Sequence, residues 1–324
     1  MKVSVAMITY NHEKFIAQAI DSVLMQQTDF DYELVIGEDC STDRTRQIVI
    51  GYQEKYPSMI RTLLHAHNLG PPHSPGKNNF VSTLKACRGQ YIALLEGDDY
   101  WTNSLKLQKQ VDSLDENPGC VICFHNTNVC YDDGRDSHLF NRKAMSRVIK
   151  LKDMLEANII ATCSVVFRNN LFKEFPSWYY ELPMGDWPLH ILNAEHGDAI
   201  FLNDVMGVYR INSSGIWSGA EGWAEKQIER LKSHITLYEK IKDLFGYKYS
   251  KIIRTQMSNR WYQLALLYRE QYDIQNMKKC LWKGFISKPI NSQFSGRFFI
   301  TSLLYILFPK LCRHYHSMKN VNQS

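Results

Sequence analysis

Short apolar runs alternate with amphipathic segments over the first hundred residues, and this alternation restricts the fold strongly. Short apolar runs are typical of buried strands, and apolar residues spaced three and four apart are typical of helices. The predicted strands are residues 3–8, 32–37, 60–65 and 91–95, with further strands at 119–131 and 161–168. The predicted helices between them are residues 13–26, 44–56 and 78–87. This alternation predicts an α/β domain with a doubly wound, mostly parallel sheet.

A cluster of polar residues stands at the end of each of the first four predicted strands. The clusters are residues 9–12, 38–43, 67–70 and 96–101. Ligands of open α/β sheets bind outside the carboxyl ends of the strands, so we expect one cleft to collect all four clusters. Ser41 or Thr42 is also expected to cap the helix that begins at residue 44.

Three acidic residues follow the fourth predicted strand: Glu96, Asp98 and Asp99. Two carboxylates about 4 Å apart repel by about 4 kcal/mol at an effective dielectric of 20, and a bound cation or a proton offsets that cost. Oxygen ligands favour Mg²⁺ or Mn²⁺, and Mg²⁺ usually binds substrate phosphates as well. The cluster indicates a metal–diphosphate site, although a solvated acidic turn would show the same sequence pattern.

The ends of the first two strands carry groups that suit a nucleotide. Tyr10 offers an aromatic face for a base, and Asp39 can accept a hydrogen bond from a base imide or a ribose hydroxyl. Taken singly, Tyr10 could be strand-end packing and Asp39 a helix-leading cap. Together with the acidic cluster they predict a nucleotide site beside a divalent cation.

Three segments resemble the signatures of family 2 glycosyltransferases in order and spacing: residues 3–11, 38–43 and 94–99. The resemblance covers residues 1 to about 217. It implies the glycosyltransferase-A fold, a nucleotide-sugar donor, with a UDP-sugar favoured, and inversion at the anomeric carbon. The donor-binding residues that it implies are Thr9, Tyr10, Asn11, Asp39, Asn68, Lys77, Asp98 and Arg210. The implied ligands of Mn²⁺ or Mg²⁺ are Asp99, Asp98 and Asn212.

Two of these positions depart from the family pattern. Lys77 lies near the position where many relatives carry an arginine. The compact ammonium of lysine would there replace the guanidinium of arginine, which can donate two parallel hydrogen bonds. Asn212 stands where relatives often place a metal-binding histidine, and its amide oxygen would have to serve as the ligand. Arg210 is expected to neutralise the departing diphosphate, and residues 212–218 resemble a loop that closes over the donor.

An inverting displacement needs one base to deprotonate the acceptor hydroxyl. In the family this base is an aspartate at a helix start, and Gly185-Asp186-Trp187-Pro188 matches that position, so Asp186 is the predicted base. A helix cap at Asp186 is the plainer interpretation and is compatible with that role. Trp187 and the run Trp178-Tyr179-Tyr180 could stack on sugars or belong to the core.

The net charge changes sign along the chain. Residues 1–220 carry 20 basic and 26 acidic side chains, whereas residues 221–324 carry 18 basic and 7 acidic ones. We predict a catalytic domain over residues 1–221 and a basic helical region over residues 222–324. The acidic first part argues against nucleic acid as a partner. The basic second part could make peripheral contact with an anionic membrane or be a solvated appendage.

The sequence also bears on location and on competing functions. The longest late apolar run, residues 298–308, is shorter than the roughly 20 residues of a membrane span, and the eight cysteines indicate a reducing environment. A cytoplasmic enzyme is expected, at the inner face of the membrane if the basic region binds there. Its acceptor would be a carbohydrate or a lipid-linked glycan in surface polysaccharide or glycolipid assembly. A non-catalytic nucleotide-sugar-binding module and a nucleotidyltransferase remain as alternatives.

Overall fold

The computed structural model describes residues 1–70, 76–212, 223–289, 294 and 296–307. The chain divides into two compact units, Met1–Gly219 and Ala220–Ser324. The first unit is built on a sheet and the second on helices, and each has a hydrophobic core of its own.

The first unit alternates strands and helices in the order that the sequence predicts. Its strands are β1 (Val3–Thr9), β2 (Tyr32–Glu38), β3 (Ile60–Leu64), β4 (Tyr91–Glu96), β5 (Tyr100–Trp101), β6 (Cys120–Tyr131), β7 (His138–Leu139), β8 (Val148–Ile149), β9 (Val165–Arg168) and β10 (Asp198–Ile211). Its helices are α1 (Ile16–Leu24), α2 (Thr45–Lys55), α3 (Lys77–Ala86), α4 (Lys106–Glu116), α5 (Leu151–Glu156) and α6 (Asp186–Ala194). Two 3₁₀ turns, Thr162–Ser164 and Ser177–Glu181, precede β9 and α6.

The strands form one mixed sheet in the order β3-β2-β1-β4-β9-β6-β10-β5, with β7 beside β6 and β8 beside β10. The first four strands are parallel, as expected for strands joined by crossover helices. Strand β9 is antiparallel to β4 and to β6, and it separates the two parallel parts of the sheet. The predicted α/β fold with a mostly parallel sheet is therefore confirmed.

The apolar runs lie at the centre of the sheet because both of its faces are covered. Val3, Val5 and Met7 of β1 are fully buried and belong to the same core cluster as Ile16 and Ile20 of α1. Strands β1, β2 and β4 are buried along almost their whole length, which is why they are mostly apolar instead of alternating.

The expected cap of α2 is wrong. The helix begins at Thr45, and neither Ser41 nor Thr42 caps it. Instead, the Ser41 hydroxyl accepts from the backbone N–H of Asn11 over 3.0 Å, and Oδ1 of Asn11 accepts from the backbone N–H of Thr42 over 2.8 Å. The polar residues after β2 thus join the loop after β1, and Asp43 accepts from the Thr45 N–H in their place.

The second unit consists of helices α7 (Trp223–Phe245), α8 (Ser250–Glu270), α9 (Ile274–Ser287) and α10 (Gly296–Leu307). Its core surrounds Tyr262, whose ring contacts the rings of Phe294 and Phe298 with centroids 5.0 and 5.6 Å away. A Cβ atom on Gly284 would lie 2.6 Å from the Tyr262 ring, so α9 can approach α8 closely only at a glycine. None of the described helices combines the length and the hydropathy needed to cross a membrane.

Candidate active site

A cavity of about 480 Å³ opens at the carboxyl ends of β1, β2 and β4. Every site residue that the sequence predicts lines this cavity: Thr9, Tyr10, Asn11, Asp39, Asn68, Lys77, Asp98, Asp99, Asp186, Arg210 and Asn212. The structure therefore brings together residues that are up to 203 positions apart, as the strand-end argument requires.

The loops after β1 and β2 bend sharply at the cavity rim. Asn11 and Cys40 both adopt left-handed backbone conformations, with φ of 55° and 60°. Asparagine tolerates this region better than most residues, so the bend suits position 11. Tyr10, just before it, is 41% exposed. A large aromatic ring is thus presented to the cavity instead of being packed in the core.

Asp39 is buried and is held by the loop after β3. Its Oδ1 accepts from the backbone N–H of Leu69 over 2.8 Å, and the Asn68 side chain donates to the Asp39 carbonyl over 3.2 Å. Its Oδ2 has no hydrogen-bond partner in the described part of the chain. Burial raises the pKa of Asp39. One carboxylate oxygen is therefore left to bind a donor group such as an imide or a hydroxyl.

Glu96, Asp98 and Asp99 lie together at the end of β4. Burial and the neighbouring charges of Asp98 and Asp186 raise the pKa of Glu96 to about 8. Burial, Asp98 and Glu96 also raise the pKa of Asp99. Gly97 permits this packing, because a Cβ there would lie 2.7 Å from the Thr9 hydroxyl. The cluster is an oxygen-rich and electrostatically strained part of the cavity.

The end of β10 closes the acidic cluster from the other side. The backbone N–H of Arg210 donates to Oδ1 of Asp99 over 2.8 Å, and the Asn212 amide donates to Oδ2 of Asp98 over 2.9 Å. The Arg210 guanidinium donates to the Asp98 carbonyl over 2.6 Å and lies over the rings of Phe15 and Tyr100. Arg210 thus supports the loop after β4 from the cavity wall.

The donor set at this cluster suits a hard divalent cation. The described residues contain no group of three His, Cys, Asp or Glu side chains arranged as a closed metal site. However, Asp98 and Asp99 provide carboxylate oxygens, and Asn212 lies beside them. Mg²⁺ is commonly bound by one or two carboxylates together with water and substrate phosphates. The residues present therefore fit a cation that the protein and a diphosphate would share.

Asp186 is the first residue of α6, and its carboxylate is anchored. The side chain of Asn158 donates to Oδ2 of Asp186 over 2.9 Å. The negative charge of Asp186 contributes to the raised pKa of Glu96. The sequence-predicted base thus stands beside the acidic cluster at the start of a helix, where the helix dipole stabilises a carboxylate.

Lys77 contacts the segment that precedes Asp186. Its side chain is buried, its ammonium donates to the carbonyl oxygen of Met184, and it lies 4.2 Å from the centroid of the Tyr179 ring. The Tyr179 hydroxyl donates in turn to the Gly185 carbonyl over 2.8 Å. Burial lowers the pKa of Lys77 to about 7, partly offset by Asp186. Lys77 lines the cavity, but its contacts hold the segment that leads to Asp186.

Two of the aromatic residues considered for sugar stacking belong to the core. Trp187 and Tyr179 are almost fully buried, and the Trp187 indole donates to the Met154 carbonyl over 2.8 Å. The segment expected to close over the donor, residues 212–218, lies outside the described residues except for Asn212.

Sequence reasoning missed His12 and Asn158. The Nε2 of His12 lies 3.9 Å from Oδ2 of Asp98, and its place in the first polar cluster was the available signal. Asn158 carries no signal of its own, because its contact with Asp186 joins residues in separate elements.

The protein family decides how this site is interpreted. The family described as Glycosyl transferase family 2 matches residues 4–175, which is more than half of the chain. The chain belongs to this family. The match begins at residue 4, within the first signature, and includes the other two signatures and the whole acidic cluster. It ends before Asp186 and Arg210. The family resemblance seen in the sequence is thereby confirmed.

The chain is also similar to individual proteins over part of its length. The uncharacterized protein Mb1547 of Mycobacterium bovis is 40% identical over 221 residues, which cover 67% of this chain and 61% of that protein. The chain thus spans less than two thirds of that relative's length. The poly(ribitol-phosphate) beta-N-acetylglucosaminyltransferase TarS of Staphylococcus aureus is 32% identical over 186 residues, covering 56% of this chain and 30% of TarS.

Solved structures of low sequence identity show the same fold. TarS 1–349 in complex with UDP has a TM-score of 0.55 at 19% identity, covering 91% of this chain and 94% of that one. The mannosyltransferase PcManGT of Pyrobaculum calidifontis, in complex with GDP-Man and Mn²⁺, has a TM-score of 0.55 at 16% identity, covering 98% and 84%. The first unit therefore has the glycosyltransferase-A fold that the resemblance implied.

Proposed function

We propose that this protein is an inverting glycosyltransferase that moves a sugar from a nucleotide-diphosphate sugar to an acceptor hydroxyl. One observation carries the proposal. A single cavity at the strand ends holds an exposed aromatic ring at Tyr10, the carboxylates Asp98 and Asp99, and the separate carboxylate Asp186. The aromatic ring suits the nucleotide base, the paired carboxylates suit a diphosphate with its cation, and the separate carboxylate suits the removal of a proton from the acceptor.

Donor binding divides between two sides of the cavity. Tyr10 stacks on the nucleotide base, and the free Oδ2 of Asp39 accepts a hydrogen bond from it. Asp98 and Asp99, with Asn212 beside them, would hold Mn²⁺ or Mg²⁺. When bound, such a cation neutralises the charge that develops on the leaving diphosphate. A UDP-sugar is the favoured donor, in keeping with the UDP complex of TarS.

Asp186 acts as the catalytic base. It removes the proton of the acceptor hydroxyl while that oxygen forms a bond to the anomeric carbon of the donor. The bond between this carbon and the diphosphate oxygen breaks, and the nucleoside diphosphate leaves with the electron pair. Because a single displacement proceeds from the face opposite the leaving group, the configuration inverts. Asn158 holds one carboxylate oxygen during this step.

The acceptor is proposed from chemistry shared with a relative. TarS is named for transfer to poly(ribitol-phosphate), a polymer that offers hydroxyl groups. A carbohydrate or lipid-linked acceptor in surface polysaccharide or glycolipid assembly, used at the cytoplasmic face of the membrane, is the corresponding proposal here.

Incubation with UDP-, GDP- and dTDP-sugars tests the function, with Mn²⁺, with Mg²⁺ and with a chelator. We expect one donor to release its nucleoside diphosphate, faster when an acceptor hydroxyl is supplied, and the release to stop in chelator. If the protein binds a nucleotide sugar but turns over none of the donors, it is a non-catalytic binding module. Release of pyrophosphate from a nucleoside triphosphate would show a nucleotidyltransferase.

A further inference from the structure

The last 51 residues of the sequence carry basic side chains and no acidic side chain. Asp273 is the last acidic residue of the sequence, and the 51 residues after it include eight Lys or Arg. Helices α9 and α10 both lie in this acid-free segment. Natural surfaces usually mix both signs of charge, so a surface of one sign indicates a partner of the opposite sign.

Helix α9 presents large apolar side chains to solvent next to lysines. Trp282, Phe285 and Ile286 are exposed, with Trp282 at 64%, and the rings of Trp282 and Phe285 stack with centroids 6.1 Å apart. Lys278 and Lys279 are exposed one turn earlier on the same face. Residues spaced by three and four share a helix face. This face is therefore both apolar and cationic.

Helix α10 also presents large apolar side chains to solvent. Ile300, Leu303, Leu304 and Leu307 follow the spacing of one helical face, and each is at least 45% exposed. The opposite side of the helix is anchored, because Phe298 is buried among the aromatic rings around Tyr262. The orientation of the apolar stripe is thus set by the core of the second unit.

We propose that these exposed faces of α9 and α10, termed the apolar–cationic face, dock the protein on an anionic lipid bilayer. Apolar side chains that enter the headgroup region, with lysines beside them that bind anionic lipid, define an interfacial helix. A second copy of this chain fits less well, because a two-fold contact would place two acid-free segments against each other. The proposal concerns where the protein binds and does not depend on its proposed function.

Co-sedimentation of the full chain with vesicles tests the proposal. We compare vesicles of phosphatidylcholine alone with vesicles of phosphatidylcholine mixed with phosphatidylglycerol. The wild type is expected to bind the anionic vesicles at least about ten-fold more tightly, and added salt should weaken binding because exposed charges are screened over about 8 Å at physiological ionic strength.

Two variants that introduce a negative charge distinguish binding through this face from non-specific binding to vesicles. Leu303→Glu should reduce binding to anionic vesicles by about ten-fold or more, since it places an anion where acyl chains would be. Tyr247→Glu is the matched control: Tyr247 is 97% exposed but lies between α7 and α8, and its substitution should leave binding nearly unchanged. Circular dichroism confirms that both variants are folded.

Three outcomes would overturn the proposal. Equal sedimentation with both kinds of vesicle would show that binding does not require anionic lipid. Equal loss of binding in both variants would show that this face is not the binding site. A wild type that is oligomeric by light scattering and becomes monomeric in Leu303→Glu would make the face a subunit interface. Because vesicle binding is measured without a donor, failure here leaves the proposed catalytic function untouched.

Discussion

The side-chain amide of Asn158 donates a hydrogen bond to Oδ2 of Asp186 over 2.9 Å. Asn158 follows α5 and Asp186 begins α6, so the contact ties two short helices together at the cavity. We expect this contact to set the orientation of the Asp186 carboxylate in the cavity.

Asp186→Asn should abolish the base while preserving size and hydrogen bonding. A positioned base contributes typically 10²- to 10⁴-fold, so kcat for transfer should fall by about that factor. Donor affinity should change little, because Asp186 is assigned to the acceptor. Steady-state transfer and UDP titration give the two quantities. Transfer within a few-fold of wild type would assign the base to another carboxylate, such as Glu181.

Asn158→Ala should act through the position of Asp186. We expect kcat to fall by about ten- to a hundred-fold, since small displacements of a catalytic group are costly, with the KM for donor unchanged. The control is Asn117→Ala, which removes an amide that donates to the Ser113 carbonyl far from the cavity. A parallel rise in donor KM, or an equal effect in the control, would indicate general destabilisation instead.

Asp99→Ala should remove the metal-dependent part of nucleotide binding. In the wild type, calorimetric titration of UDP should give a much higher affinity with Mn²⁺ than with a chelator. The variant should show the same weak affinity in both conditions, because it lacks a carboxylate at the proposed cation site. Asp204→Ala is the control, since Asp204 is an exposed partner of Lys109 on the surface. Unchanged metal dependence in Asp99→Ala would remove the residue from the site.

Lys106→Met should stabilise the protein in a pH-dependent way. Lys106 is fully buried 3.8 Å from the centroid of the Trp101 ring, and burial lowers its pKa from 10.5 to about 7. Between pH 7 and 10.5 the unfolded chain binds a proton that the folded chain does not. The free energy of unfolding of the wild type therefore increases as the pH rises, by up to about 1.4 kcal/mol per pH unit from this group.

The variant lacks that gain, so its advantage over wild type should be largest near pH 7 and shrink toward pH 9. Denaturant unfolding at pH 7, 8 and 9 measures the difference. Lys109→Met on the same helix is the control, because Lys109 is 40% exposed. A difference between Lys106→Met and wild type that does not vary with pH would show that Lys106 keeps its ordinary pKa.

The donor side of the site could be predicted because it consists of strand ends. Tyr10, Asp39 and Asp99 each follow a strand whose apolar run is visible in the sequence, and parallel strands bring their carboxyl ends to one edge. Local pattern and sheet topology therefore suffice to place these residues together. Side-chain bonding could not be predicted in the same way, as the wrong assignment of Ser41 or Thr42 as a helix cap shows.

By itself, the sequence determined the alternation of strands and helices, the acidic cluster at the cavity, and the change of charge between residues 1–220 and the rest. Only the tertiary structure decided that Lys77 donates to the carbonyl of Met184, and that Asn158 anchors Asp186. Periodicity reports which side of an element is buried. The partner of a buried polar group depends on how distant segments pack, because each such group must find a donor or an acceptor among whatever neighbours the fold provides.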